Sequence, residues 1–237
     1  MKPFKVEAYL NGQLLVTVNE RSLLNMEFER NAREHFRGNC SIGVCNKVQV
    51  DSTYKFSFDI SPQNEFTEMF DGKVEKAQMG PRAISLDFEF PHRVDLSGIP
   101  ERTSTKGGIG LDDTLRIEQS DIEVLSDPYR LFNLDVFEYQ ANDTYLGLYG
   151  SVPYLASYSP SHQGCVGLYW LNAAETWVDI YTSKKPHREQ RGAIWSSETN
   201  VLEFAIMLAS SPKELIQKFT SVSGRAGLPP YFAIGFH

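Results

Sequence analysis

The stretch that most restricts what this chain can become is Ala83-Ile84-Ser85-Leu86-Asp87-Phe88-Glu89-Phe90. Its apolar and polar residues alternate with a period of two. A helix would scatter these residues around its axis. An extended strand puts Ile84, Leu86, Phe88 and Phe90 on one side and Ser85, Asp87 and Glu89 on the other. The pattern predicts a sheet packed on one face and wet on the other. Residues 5–10 and 14–18 flank Asn11-Gly12, a dipeptide that accepts the positive φ of a tight hairpin. Residues 23–28 and 47–60 read as further strands, the latter with Tyr54, Phe56 and Phe58 on one face. The same reading covers 116–118, 129–132, 145–149, 154–158, 166–170, 177–181, 193–195 and 201–208. So many short strands at close spacing predict an all-β sandwich. Residues 61–80 and 101–113 read as loops, the second holding Lys106-Gly107-Gly108-Ile109-Gly110.

One helix is expected. Ser211-Pro212-Lys213-Glu214 has the form of a capping box with Pro in the first turn. Leu215, Ile216, Phe219 and Val222 form an apolar stripe, and Gly224 is a natural stop. Pro229-Pro230 follows, then the strand-like apolar run 231–237. An unpaired apolar edge is a liability, so the protein is expected to continue past His237.

Composition narrows the function classes. The 237 residues are 41% hydrophobic and 22% charged, as in a globular protein of one large or two small domains. A net charge of −7 argues against nucleic-acid binding, which needs a basic face. No apolar run is long enough to span a bilayer. Met1-Lys2-Pro3-Phe4-Lys5 begins no apolar signal core, which suits a cytosolic chain or one that starts after its signal. Cys40 and Cys45 could close a small loop, or all three cysteines, Cys165 included, are ordinary thiols. Asn39-Cys40-Ser41 and Asn142-Asp143-Thr144 permit, without requiring, a secretory setting. The histidines (His35, His92, His162, His187, His237) pair with no Cys or carboxylate at metal-ligand spacing, so neither metal nor cofactor is expected. Lys184-Lys185-Pro186-His187-Arg188 reads as a solvated basic loop.

Several motifs occur in a fixed order. They are Gly98-Ile99-Pro100-Glu101, Tyr129-Arg130-Leu131-Phe132-Asn133-Leu134-Asp135-Val136-Phe137-Glu138-Tyr139 and Leu148-Tyr149-Gly150-Ser151-Val152-Pro153-Tyr154. Leu168-Tyr169-Trp170-Leu171-Asn172-Ala173-Ala174-Glu175-Thr176-Trp177-Val178-Asp179 and Leu228-Pro229-Pro230-Tyr231-Phe232-Ala233-Ile234-Gly235-Phe236-His237 follow. Together they resemble the amino-terminal region of family 31 glycoside hydrolases over most of residues 83–237; residues 39–80 match poorly. The resemblance implies a galactose mutarotase-like β-sandwich over residues 1–228. Residues 229–237 would then begin a truncated (β/α)8 catalytic barrel. It also implies retaining hydrolysis of terminal α-linked glucose. Both catalytic carboxylates would lie on the barrel beyond residue 237, leaving no catalytic residue here and the isolated chain inactive. The partners implied are an α-glucoside or glucosylated N-glycan, the chain's own C-terminal catalytic barrel, and a regulatory β subunit. The setting implied is the endoplasmic reticulum lumen, with the cytoplasm as the alternative.

Alone, Asp135 reads as a solvated loop carboxylate. In the family the Asn-Leu-Asp loop reaches over the barrel mouth, so the resemblance makes Asp135 a substrate ligand. A carboxylate suits that task because it offers several acceptor sites in fixed geometry. Phe137 and Tyr139 share the side of Asp135 if the segment is extended. Sugar contact and core packing remain equally open for them. Trp170 and Trp177 lie in strand patterns and are expected in the core. Glu175 and Asp179 invite a catalytic-pair reading that a strand pattern defeats, so structural hydrogen bonding is expected of both. The alternatives to an enzyme part are a stand-alone carbohydrate-binding module and a structural interaction domain. A barrel-length extension past His237 would separate them from it.

Overall fold

The computed structural model describes residues 4–27, 45–50, 53–58, 65–70, 73–78, 83–91, 94–102, 128–135, 147–159, 164–185, 188–198 and 202–235. The strands begin with β1 (Val6–Leu10), β2 (Gln13–Val18), β3 (Asn25–Glu27), β4 (Cys45–Val50) and β5 (Thr53–Phe58). Next come β6 (Glu65–Phe70), β7 (Lys73–Gln78), β8 (Ala83–Phe90), β9 (Asp95–Gly98) and β10 (Tyr129–Leu131). The last are β11 (Tyr154–Tyr158), β12 (Cys165–Trp170), β13 (Thr176–Lys185), β14 (Arg188–Ser197) and β15 (Leu202–Ala209), followed by α1 (Pro212–Ser223). A seven-stranded antiparallel sheet runs β1-β2-β8-β14-β13-β10, with β3 also on β8. A six-stranded antiparallel sheet runs β4-β5-β15-β12-β11-β9, and β6 pairs with β7.

The predicted hairpin turns at Asn11 and Gly12, both at positive φ. The alternating face of β8 is the core: Ile84, Leu86, Phe88 and Phe90 are all buried. Phe88 meets Phe204 edge-on at 5.5 Å and Trp170 at 6.4 Å, and Trp170 stacks on Trp195 at 5.8 Å. These contacts join the two sheets and make the domain a sandwich. Trp170 Nε1 donates to Ser197 Oγ at 2.8 Å, so its polar atom is satisfied inside the core.

The opposite face of β8 is not wet. Asp87 is fully buried and Glu89 nearly so. Residues 19–24 fold over Asp87, whose carboxylate accepts from Arg21 N at 2.9 Å and Leu23 N at 3.1 Å. Gly192 pairs with Glu89 across the sheet, and the Tyr181 ring lies over Gly192, where a Cβ would come within 2.2 Å of it. The Arg21 guanidinium covers that ring at 4.7 Å. Alternation reports the face that packs a core; it is silent on what covers the other.

Other expectations shift. Residues 47–60 are two paired strands, β4 and β5, and not one long strand. Residues 61–80, read as a loop, contain the β6–β7 ribbon. The basic segment at 184–188 lies at the end of the β13–β14 hairpin, where Lys184 pairs with Glu189 and Lys185 with Arg188. On α1, Ser211 caps the helix by accepting from Glu214 N. Leu215 is buried and Phe219 stacks on Tyr154 at 4.2 Å, but Ile216 and Val222 of the expected stripe are exposed. Residues 231–234 form a 3-10 turn and not a strand. Two prolines before it donate no backbone hydrogen bond, and Ala233 N closes the turn on Pro230 O at 2.9 Å. Tyr231 and Phe232 are exposed there. Residues 147–149, the described part of the expected strand 145–149, are irregular. The expectations for Cys40, both sequons, residues 103–113 and 116–118, and all five histidines lie outside the described residues, as do the side chains of Cys45 and Phe58.

Candidate functional site

Asp135 sits four residues beyond β10, the last strand of its sheet. Tyr129 and Leu131 turn inward and are buried, which anchors β10; Arg130 turns outward. Past Leu131 the chain leaves the sheet, and Phe132 and Asp135 are exposed. Leu134 N donates to Leu148 O at 2.7 Å, so the segment stays tied one residue before the carboxylate. Among the described residues Asp135 has no hydrogen-bond or ion-pair partner. Phe137 and Tyr139, expected beside it, lie outside the described residues.

Two neighbouring segments hold this run. Gly98, at φ +123, turns the chain out of β9 where a Cβ would stand 2.3 Å from Tyr154 O, so no side chain fits. Ile99 N then donates to Tyr154 O at 2.7 Å and Val152 N to Pro100 O at 3.0 Å. Glu101 N donates to Gly150 O at 2.8 Å, and Leu148 N to Glu101 O at 3.0 Å. Arg102 is buried, with its guanidinium over the Tyr129 ring at 5.0 Å. Burial pulls its pKa down to about 10, which leaves it charged at neutral pH. The motifs at 98–101, 129–135 and 148–154 are thus one hydrogen-bonded ladder with Asp135 at its end.

The motif at 172–177 supports the same run. Asn172 Oδ1 accepts from Ala174 N at 2.8 Å, and Thr176 Oγ1 donates to Ala174 O at 3.0 Å. That turn presents Glu175 to Arg130 Nε in an ion pair, and the Arg130 guanidinium lies 4.5 Å over the Phe132 ring. Glu175 therefore has the structural hydrogen-bonding role read for it. Asp179 lies four residues along the extended chain, roughly 13 Å away at strand rise. A retaining pair needs about 5–5.5 Å, so these two cannot form one. Asp179 is half-buried, and burial raises its pKa. Trp170 is in the core as expected. Trp177 is not; it pairs in register with outward Arg130 and is half-buried on the outer face. Among the described residues no three His, Cys, Asp or Glu side chains gather as metal ligands, and no helix is long and apolar enough to cross a membrane.

Sequence reasoning missed Arg102 and the roles of Glu101 and Arg130. Arg102 directly follows a quoted motif, but a lone arginine carries no sign that it will be buried.

Two antiparallel sheets joined through a ring-packed core define a β-sandwich domain. Residues 1–179 match the glycosyl hydrolase 31 N-terminal galactose mutarotase-like domain, and the chain belongs to that family. It is 31% identical to glucosidase 2 subunit alpha of Schizosaccharomyces pombe over 99% of its own length and 22% of that protein's. Among solved structures, a Tris-bound glucosidase II alpha subunit shares 27% identity at a TM-score of 0.62, covering 98% of this chain and 22% of the other. An ER glucosidase II heterodimeric complex, of catalytic subunit and the binding domain of the regulatory subunit, shares 27% at a TM-score of 0.57, covering 92% and 21%. The chain thus spans about a fifth of the length of these proteins.

Proposed function

We propose that this chain is the substrate-pocket-completing domain of a retaining α-glucosidase, and that Asp135 binds the terminal glucose. One observation carries the reading: the Asp135 carboxylate is exposed at the end of a tethered run, with no partner among the described residues. An exposed carboxylate offers several acceptor sites to hydroxyls. The Leu134–Leu148 tether reduces the ordering cost of holding it in place. Phe137, two residues on, would offer an apolar face to the sugar ring. The catalytic carboxylates would lie on the protein's own barrel beyond residue 237, which is the intramolecular partner.

The likeness to glucosidase II alpha subunits supports a glucosylated N-glycan as substrate, a regulatory β subunit as second partner, and the endoplasmic reticulum lumen as location. The test uses the full-length protein. Asp135→Ala is expected to leave the melting temperature unchanged. It should lower kcat/KM on an α-glucoside by roughly 10- to 150-fold, the equivalent of losing a charge-assisted bond worth about 1.5–3 kcal/mol. Unchanged kinetics would remove Asp135 from the pocket. The 237-residue chain alone should show no glucosidase activity; hydrolysis by it would overturn this division of labour.

A further inference from the structure

We propose that Glu101 and Arg102 are positioning residues that set where the Asp135 carboxylate stands. The inference rests on the reading of Asp135 as a sugar ligand. Only four residues separate Arg130 from Asp135, and the pair Glu101–Arg102 reaches that run near both of its ends. At the start, Arg102 Nη2 donates to Arg130 O. Arg102 Nε donates to Ile99 O at 3.1 Å, which ties the run to the turn leaving β9. At the far end the hold is indirect. Glu101 O accepts from Leu148 N at 3.0 Å, and Leu148 O accepts from Leu134 N at 2.7 Å. Glu101 also fixes the segment beyond Leu148: its Oε2 accepts from Gly150 N at 2.9 Å while its own N–H donates to Gly150 O at 2.8 Å.

The choice of residue types supports a geometric task. Burying a guanidinium costs free energy that an apolar side chain of similar size would not. In return, Arg102 gives a planar fork of donors with fixed directions, two of which hold backbone carbonyls from segments 31 residues apart. Tyr129, buried at the base of the run, sets its ring beneath the fork, 5.0 Å from the guanidinium carbon. Gly150 belongs to the same arrangement, because a Cβ there would stand 3.1 Å from Glu101 Cδ. Loop carboxylates are mobile by default; this one stands on a frame built from residues 99–102 and 148–150. Small misplacements matter at such a site, since a shift of about 1 Å can cost on the order of 100-fold in rate.

The experiment measures kcat and KM of the full-length protein on an aryl α-glucoside, with melting temperatures alongside. The variants are Arg102→Lys, Glu101→Ala and Glu101→Gln, each in the wild-type and Asp135→Ala backgrounds. Arg102→Lys and Glu101→Ala are expected to lower kcat/KM about tenfold in the wild type and to have no further effect in Asp135→Ala. Glu101→Gln keeps an acceptor for Gly150 N and should restore the wild-type value. Equal losses in both backgrounds, or no loss from Glu101→Ala, would overturn the proposal. Glu101 is exposed, so its variants decide the matter even if Arg102→Lys does not fold. If Asp135→Ala itself is harmless, the pocket reading has failed; if Asp135→Ala is damaging and Glu101→Ala is not, only the positioning role has.

Discussion

The inter-sheet core and the ladder beneath Asp135 are built on opposite principles. In the core, Phe88, Trp170, Trp195 and Phe204 interlock through ring contacts, and a single side-chain hydrogen bond satisfies Trp170. In the ladder, segments with little regular structure are joined by backbone hydrogen bonds, one buried arginine and the Arg130–Glu175 pair. Apolar burial is strong and non-directional; hydrogen bonds contribute less free energy but fix direction. The core therefore supplies stability, and the ladder supplies position. Changes in the two regions should separate by readout, stability in one and kinetics in the other.

The largest stability effect is expected at the core. Trp170→Ala removes a buried ring that touches both sheets and should cost about 3–5 kcal/mol in urea denaturation of the full-length protein. A loss under about 1 kcal/mol would show that the ring contacts do not hold the sheets together. Gly98→Ala tests the junction of the two regions. Its Cβ would press on Tyr154 O at a φ that disfavours side chains, so about 1–3 kcal/mol of destabilisation is expected. Unlike the core change, it should also reduce kcat/KM per folded molecule, because residues 99–102 would shift; purely thermal effects would blur the contrast drawn above.

The smallest effect is expected on α1. Hydrogen bonds from Lys218 and Ser210 hold the Glu214 carboxyl down to about 2. A depressed carboxylate stabilises the fold above its unfolded value near 4.5, and that share is lost as pH falls from there toward 2. Glu214→Gln should remove that acid dependence and cost about 0.5 kcal/mol at neutral pH, a small figure because the side chain is 38% exposed. Kinetics should not change. A kinetic effect would place α1 in the pocket frame.

Much of the sandwich was legible. Ala83–Phe90 and Tyr154–Tyr158 are strands with the expected ends, and the hairpin at Asn11-Gly12 and the cap at Ser211 sit where local chemistry puts them. These features are decided within a few residues, by φ preference, by period, or by a side chain reaching its own neighbouring N–H. The split of residues 47–60 and the ribbon at β6–β7 were missed although turn signals stand in the sequence between the paired strands, Asp51-Ser52 and Asp71-Gly72. Asp135 was singled out through a motif and read as a solvated loop carboxylate, in keeping with its exposure; its tether through Leu134 to Leu148 could not be read.

By itself, then, the sequence determined an antiparallel two-layer body and the residues of one face, because alternation ties each side chain to a side of its strand. Only the tertiary structure decided that Asp87 and Glu89 are buried, that Arg102 lies under the Asp135 run, and that Glu175 meets Arg130. Each depends on segments tens of residues apart arriving at the same place, and no local pattern encodes that meeting.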